Sequence, residues 1–295
     1  MDRHNSKKQR LPLVKIVLIL GILGIFGILN FKPSESIQVE HTAVATESAQ
    51  VQPTVQAKLI EPNIPPPPVV SGRQIRVPIL TYHYIGYSDP KDTGREGLSV
   101  KPDVFDEQLG YLAKNGYTPI SLDTAFAALK GNGGLPAKPI ILTFDDGYID
   151  FYVNAYPILK KYNFHATSFI PTGLMGQSYY LKWEQIKEMD GSGLISFQSH
   201  SVTHANLTEI SLDKLRWELS ESKKMLENSL GKPVNFIAYP YGANNSLVGE
   251  EARKAGFLGA TTTVYGSIIS EGTVFFIPRI KVAGSWTLEQ FAKSL

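Results

Sequence analysis

The strongest constraint on the fold is a regular alternation of short apolar runs with amphipathic segments between residues 74 and 295. One helix is predicted after Pro102, and a second between Ser211, a capping residue, and Gly231, a typical stop. Strands that alternate with helices over such a length favour an α/β fold with a parallel sheet or barrel. The predicted strands cover residues 75–82, 140–144, 166–170, 194–198, 234–239, 258–262 and 274–280.

Composition excludes several classes of protein. The chain has no cysteine, which rules out disulfide scaffolds, thiolate metal sites, thiol nucleophiles and a lipoprotein anchor. Its formal charge of +2 arises in residues 1–31, where five basic residues outweigh one acidic residue. The remainder of the chain is slightly acidic, so we expect no nucleic-acid partner.

The N-terminal region predicts export and membrane attachment. Residues 16–31 are apolar and uncharged but short for a membrane span, and extension back to Leu11, with the Lys15 side chain reaching the interface, gives a segment long enough to cross a bilayer. Basic residues precede it, which predicts a cytoplasmic tail at 1–10, a single-pass anchor at 11–31 and an extracytoplasmic domain. Cleavage of a signal peptide, followed by secretion, remains the alternative. The Pro-rich residues 32–73 are typical of a linker, which leaves a domain at 74–295.

Two adjacent carboxylates, Asp145 and Asp146, follow the predicted strand at 140–144 and precede Gly147. In α/β folds the chemistry gathers where strands end. Neighbouring residues leaving a strand point to opposite sides, so one aspartate can bind a cation while the other faces a water molecule. A solvated turn is the alternative interpretation.

A pair of histidines, His200 and His204, follows another predicted strand. Histidines four residues apart on a helical turn would lie on one face and could chelate one metal ion. With Asp146 they would form an N,N,O ligand set that leaves open positions. Zinc is the favoured ion, although cobalt, nickel or iron would also fit. Such a metal polarises a carbonyl and lowers the pKa of bound water, which favours hydrolysis.

Three motifs, TFDDG at 143–147, HSVTH at 200–204 and YPYG at 239–242, resemble those of the NodB-like polysaccharide deacetylases, carbohydrate esterase family four. The resemblance implies a distorted (β/α) barrel and metal-dependent removal of acetyl groups from N-acetylated sugars. It also implies the following roles: Asp145 as general base; Asp146, His200 and His204 as metal ligands; the Tyr241 N–H as an oxyanion donor; and Pro240, Tyr241 and Gly242 as a wall of the substrate groove.

The chain departs from the family pattern at two positions. Ala238 occupies the place of an arginine that braces the catalytic aspartate, and residues 279–282 lack the histidine that serves as general acid. These departures resemble the branch that deacetylates poly-β-1,6-N-acetylglucosamine. We hypothesise that His83, at the end of the first predicted strand, replaces the missing acid.

Other polar and aromatic residues receive simpler predictions. Tyr148 is a candidate for stacking on a sugar ring. The other expectations are core packing for Trp183, Trp217 and Trp286, a surface position for His165, and a solvated helix face for Glu218, Glu221, Lys223 and Lys224.

Taken together, the sequence predicts a membrane-anchored enzyme that removes N-acetyl groups from an extracellular or cell-wall polysaccharide containing N-acetylglucosamine and releases acetate. Two alternatives remain open at this point. One is a carbohydrate-binding pseudoenzyme with little turnover, and the other is an O-acetyl esterase that acts on polysaccharide.

Overall fold

The computed structural model describes residues 72–87, 95 and 97–295. The predicted cytoplasmic tail (1–10), membrane anchor (11–31) and most of the predicted linker (32–73) lie outside these residues. Among the described residues, no helix has the length and apolar character needed to cross a membrane.

Seven parallel strands close into a barrel, and helices pack around it. The described residues form these seven strands and five short ones outside the ring: β1 (Gln74–Arg76), β2 (Ile79–Tyr82), β3 (Tyr84–Ile85), β4 (Ser99–Val100), β5 (Thr118–Pro119), β6 (Pro139–Phe144), β7 (Ala166–Ile170), β8 (Ile195–Ser199), β9 (Phe236–Ala238), β10 (Gly259–Tyr265), β11 (Ile268–Ser270) and β12 (Ile277–Lys281). Around the barrel the order is β2, β12, β10, β9, β8, β7 and β6, and β6 pairs back onto β2. This closed parallel sheet confirms the predicted (β/α) barrel.

The helices connect the strands or cover the sheet. They are α1 (Pro102–Lys114), α2 (Leu122–Leu129), α3 (Tyr156–Tyr162), α4 (Trp183–Gly191), α5 (Leu212–Leu230), α6 (Ser246–Lys254) and α7 (Leu288–Lys293). A π-helical turn at Phe151–Ala155 leads directly into α3. Helix α5 matches its prediction, because the Ser211 hydroxyl accepts the Lys214 N–H and Gly231 ends the helix in the left-handed conformation.

Alternate residues of each strand enter two different environments. Leu80, Leu142 and Phe144 face outward and belong to the large core beneath the helices. Ile79 and Ile141, with opposite orientation, belong to a smaller core inside the barrel. Helix α2 contributes to this inner core and seals its amino-terminal end. Toward the carboxyl ends the inward positions become polar, and these positions form the site described below.

A second polar region lies at the amino ends of β7, β8 and β9. It is a cavity of about 400 Å³ that includes His165, Asp123 and Asp190 in its lining. His165 is half-buried there, so its predicted surface position is wrong. Trp217, predicted to pack in the core, is 42% exposed beneath the Lys214 ammonium, whereas Trp183 and Trp286 pack against the core as expected.

Candidate active site

The Asp-Asp-Gly turn follows β6 and presents its two carboxylates to different partners. Both carboxylates are buried. Asp145 keeps the inward orientation of Thr143, whereas Asp146 adopts a φ of 73°, in the left-handed region. A Cβ on Gly147 would lie 2.8 Å from Ile170 Cγ2, so the turn requires glycine at this position. The backbone of the turn therefore separates the two aspartates.

Asp145 forms a bidentate ion pair with Arg279 of β12. Arg279 Nη1 lies 2.8 Å from one carboxylate oxygen, and Nη2 lies 2.7 Å from the other. The arginine is 2% exposed and also donates to the Thr143 hydroxyl and the Thr262 carbonyl. Burial raises the pKa of Asp145, but the guanidinium more than offsets this effect, so the pKa lies below its ordinary value. Asp145 is therefore held ionised in a fixed orientation.

Asp146, His200 and His204 converge on one point. His200 Nε2 and His204 Nε2 lie 3.3 Å and 3.1 Å from Asp146 Oδ1, and the three ligand atoms lie within 4.8 Å of one another. His200 Nδ1 contacts the Ala238 carbonyl at 2.7 Å, which orients Nε2 toward Asp146. This donor set fits a divalent metal ion, because two imidazoles and one carboxylate leave open positions for water and substrate.

The two histidines reach this point from a loop. Residues 200–206 form no helix, and Ser201 and His204 adopt φ values of 65° and 60°. The predicted helical turn is therefore wrong, although the predicted convergence of the imidazoles on Asp146 is observed. The Ser201 hydroxyl accepts the His204 N–H at 3.0 Å and stabilises the loop.

Glu218 of α5 also stabilises the loop at residues 200–206. Its carboxylate accepts the Val202 N–H at 2.7 Å, the Thr203 N–H at 2.9 Å and the Thr203 hydroxyl. The side chain is fully buried, so the predicted solvated position of Glu218 is wrong. Burial raises the pKa of Glu218, but these donors more than offset the effect and keep its pKa below the ordinary value. A carboxylate that looked like part of a helix surface thus positions the histidine loop.

His83 and Tyr241 border the two aspartates from other strand ends. His83 follows β2 and lies within electrostatic range of both Asp145 and Asp146. Burial lowers the pKa of His83, and the two aspartates only partly counter this effect. The Tyr241 ring packs edge-to-face on the His204 imidazole, with centroids 4.6 Å apart. Both residues therefore belong to the same site as the predicted metal ligands.

The Pro-Tyr-Gly turn at 240–242 forms the rim next to the histidine loop. Tyr241 adopts a φ of 60° and is 68% exposed. A Cβ on Gly242 would clash with the Thr263 side chain, so only glycine fits between the turn and β10. Tyr148 lies on another side of the site, two residues beyond Asp146, where it is stacked between other tyrosines.

Comparison with known proteins agrees with this geometry. Residues 132–260 match the family profile described as Polysaccharide deacetylase. The chain is 32% identical over 215 residues to the YxkH protein of Bacillus subtilis, which is named for the same family, with 73% of this chain and 74% of that protein covered. The chain belongs to the polysaccharide deacetylase family. This deacetylase also resembles the solved structure of the Streptococcus pyogenes deacetylase PplD in complex with acetate (TM-score 0.70, 36% identity, 75% of this chain and 98% of that chain).

Another relative carries a more specific name. The poly-β-1,6-N-acetyl-D-glucosamine N-deacetylase of Staphylococcus aureus strain MRSA252 is 30% identical over 201 residues, which cover 64% of this deacetylase and 69% of that enzyme. The chain spans only 36% of the length of the Escherichia coli enzyme of the same name.

Sequence reasoning missed the arginine of this deacetylase. The sequence predicts no arginine beside Asp145, because it assigns Ala238 to the position of the bracing arginine, but Arg279 supplies the cation from β12. Arg279 lies two residues after Ile277, which belongs to the inner core, so it shares the inward side of β12 and projects toward Asp145. The only signal in the sequence was a basic residue in an otherwise apolar strand, where a buried charge requires a partner.

Proposed function

We propose that this deacetylase hydrolyses the acetamide group of N-acetylglucosamine residues in an extracellular or cell-wall polysaccharide and releases acetate. The proposal depends above all on one observation: two adjacent carboxylates have different partners. Asp145 is paired with Arg279, whereas Asp146 faces two imidazoles. The name of the Staphylococcus aureus relative supports a polymer of this sugar as substrate.

Asp146, His200 and His204 would hold one divalent metal ion, with zinc favoured and cobalt or nickel as alternatives. When bound, such an ion polarises the acetamide carbonyl and lowers the pKa of water. The chain itself orients these ligands, since the Ala238 carbonyl fixes one imidazole and Glu218 fixes the loop that carries both.

Asp145 serves as the general base. Water must lose a proton as its oxygen bonds to the acetamide carbon, and the ionised carboxylate can accept that proton. The guanidinium of Arg279 makes Asp145 a weak base, so the proton is also released readily. Arg279 further prevents the carboxylate from rotating toward the metal ligands, because it holds both oxygens.

His83 serves as the general acid. The sugar nitrogen must gain a proton before its bond to the acetyl carbon breaks. Because burial lowers the pKa of His83, the resting imidazole is neutral near pH 7. His83 therefore delivers a proton that it gains within the site: water gives a proton to Asp145, this proton passes to His83, and His83 gives it to the departing amine, so that both side chains return to their starting states.

The Tyr241 N–H contributes a hydrogen bond to the developing oxyanion. Pro240, Tyr241 and Gly242 form one wall of the groove, and Tyr148 contributes to the opposite wall. We further propose that residues 11–31 anchor the enzyme in the cell membrane with its catalytic domain outside, or that a cleaved form is secreted.

Acetate release tests this proposal. The full-length enzyme is incubated with β-1,6- and β-1,4-linked N-acetylglucosamine oligomers and with acetylated xylan, with added zinc, cobalt or nickel. We expect release from an N-acetylglucosamine oligomer that a chelator abolishes and zinc restores. Binding without release would identify a pseudoenzyme, and faster release from acetylated xylan would identify an O-acetyl esterase. The Arg279–Asp145 pair argues against the pseudoenzyme, because pure binding has no need of an ionised base.

A further inference from the structure

A second cavity, of about 420 Å³, lies beside the Asp-Asp-Gly turn. Its volume falls in the range of small-molecule sites. Four tyrosines dominate its lining, and two charged side chains lie at its edge. The lining includes Tyr84, Arg95, Tyr148, Asp150, Tyr179 and Tyr180. The proton transfers and the metal ligands proposed above make no use of this cavity.

Three of the tyrosines form a continuous stack. The rings of Tyr84 and Tyr148 are 4.1 Å apart and 17° from parallel, and those of Tyr148 and Tyr180 are 5.3 Å apart and 28° from parallel. The Arg95 guanidinium lies 3.8 Å from the centre of the Tyr84 ring. Because each ring supports the next, the walls of the cavity are fixed before any ligand arrives.

Backbone hydrogen bonds join the segment around Tyr180 to the catalytic turn. The Ile149 N–H donates to the Tyr179 carbonyl at 2.8 Å, and the Leu181 N–H donates to the Gly147 carbonyl at 2.9 Å. Tyr148 and Tyr180 also pair as an isolated antiparallel bridge. The cavity is therefore held at a constant distance from Asp146.

Tyr179 is the least expected residue of this segment. Its ring is 80% exposed, and its φ of 72° lies in the left-handed region that favours glycine. Neither burial nor backbone preference explains a bulky aromatic side chain here. The ring therefore serves something other than folding, and an exposed aromatic face next to a polysaccharide site suits a sugar.

The cavity adjoins the catalytic turn, because Tyr148 in its lining follows Gly147 directly and lies two residues beyond Asp146. Burial raises the pKa of Tyr180, and the charge of Asp146 and the phenol of Tyr241 add to this effect. The Tyr180 hydroxyl thus lies within electrostatic range of both the metal ligand and the opposite rim. A polymer lying across Asp146 would pass between Tyr241 and the Tyr179–Tyr180 segment.

We infer that Tyr179 and Tyr180, supported by the stacked ring of Tyr148, form a subsite for a second pyranose ring of the polymer, next to the residue that is deacetylated. The C–H face of a pyranose would pack on the exposed Tyr179 ring, and its hydroxyls would reach the phenol groups of the lining. The subsite makes the enzyme selective for oligomers over the monosaccharide. This inference rests on the proposed function, because the second ring belongs to the same polymer.

The test compares Tyr179→Gly and Tyr179→Trp with the wild-type enzyme. Glycine removes the ring and suits the positive φ, so the fold is retained or slightly stabilised. Tryptophan keeps an aromatic face. Trp217→Ala, an exposed aromatic residue on α5, is the matched control. Calorimetry measures the Kd of an N-acetylglucosamine monomer and trimer, and acetate release gives KM and kcat.

We expect Tyr179→Gly to weaken trimer binding about three- to tenfold and to raise the KM for the trimer equally. Its Kd for the monomer and its release of acetate from 4-nitrophenyl acetate should match the wild type, as should all values for Trp217→Ala. Tyr179→Trp should restore trimer binding.

Equal trimer binding by the wild type and Tyr179→Gly would overturn the subsite. Equal losses for monomer and trimer would overturn it as well. If the wild type binds the trimer but releases no acetate from it, the proposed hydrolysis fails, while the calorimetric comparison still decides whether the subsite exists.

Discussion

At the carboxyl ends of the strands, Asp146 lies 3.3 Å and 3.1 Å from two imidazoles, whereas at the amino ends Asp190 lies 2.7 Å from the Lys232 ammonium. Both ends hold aspartate, histidine and a sizeable cavity. At the amino ends each carboxylate has its own partner, and Asp123 accepts the Asn235 amide at 2.6 Å. At the carboxyl ends three potential ligands share one space.

Backbone conformation separates the two ends as well. At the carboxyl ends Asp146, Ser201, His204 and Tyr241 adopt positive φ values although none is glycine, whereas at the amino ends Asn163, of a residue type that tolerates this conformation, does so where it ends α3. Such conformations cost of order 1 kcal/mol or more each, and they persist where the surrounding structure imposes them. The comparison teaches that side-chain type alone does not distinguish a reactive site. Convergence of ligands and local backbone strain distinguish it.

The largest expected difference between the two ends is in turnover. Asp145→Asn removes the proposed base but keeps the shape of the side chain, so acetate release should fall about 10³-fold. Asp190→Asn, at the amino ends, should leave release within about twofold of wild type because that residue only pairs with a lysine. Steady-state rates on an N-acetylglucosamine oligomer measure both. Comparable losses in the two variants would remove the functional distinction between the ends.

The next largest loss of turnover is expected for variants of Arg279, which pairs with Asp145. Arg279→Lys keeps the positive charge but loses the planar pair of N–H donors that fixes the orientation of the carboxylate, so kcat should fall about 10- to 100-fold with KM unchanged. Arg279→Met should in addition destabilise the fold by about 3–5 kcal/mol, because Asp145 is left buried and unpaired. Kinetics and denaturant unfolding check these values, with Lys232→Met as the control from the amino ends. A rise in KM at constant kcat would contradict the bracing role.

Glu218 offers a smaller test of the histidine loop. Glu218→Gln leaves one acceptor oxygen for the loop donors, so zinc affinity should weaken about tenfold. Glu221→Gln, on the same helix and more exposed, is the matched control and should bind zinc normally. Calorimetric titration of the metal-free proteins measures both. Unchanged zinc affinity in Glu218→Gln would show that the loop holds its shape without the carboxylate.

The smallest effect is on stability and depends on pH. Burial raises the pKa of Asp150 to about 6, so its ionised form is disfavoured in the folded state. This cost is absent below the unfolded pKa of about 4 and is fully present above pH 6. Asp150→Asn, which can still accept the Ile85 N–H, should therefore stabilise the protein by of order 1 kcal/mol at pH 8 and by almost nothing at pH 4. Thermal unfolding at both pH values checks the sign. A gain that is equal at the two pH values would rule out ionisation as its cause.

The α/β fold and the candidate metal ligands could be predicted from local patterns, whereas the closure of the sheet into a barrel was implied only by the family resemblance. Buried strands appear in the sequence as apolar runs. Asp146 lies two residues after the end of β6, and His200 follows β8 directly. The ends of parallel strands meet at one edge of the barrel, so residues there converge whatever the loops do. This is why the two histidines approach Asp146 even though the helical turn predicted for them is absent.

The supporting residues could not be predicted because their roles depend on distant contacts. Arg279 meets Asp145 across 134 positions of sequence, and Glu218 reaches the histidine loop from the buried side of a charged helix. The helix pattern places Glu218 next to exposed charges, and only the packed structure distinguishes it from them. Tyr179 and Tyr180 fall in a segment without regular periodicity, which gave no indication of the cavity.

Strand β12 contributes both to the closure of the barrel and to the active site. It closes the barrel by pairing with β2 at Leu80, and it carries the guanidinium that holds Asp145. It is also the last barrel strand in chain order. Any change that displaces β12 therefore opens the barrel and frees the Asp145 carboxylate from its guanidinium at the same time.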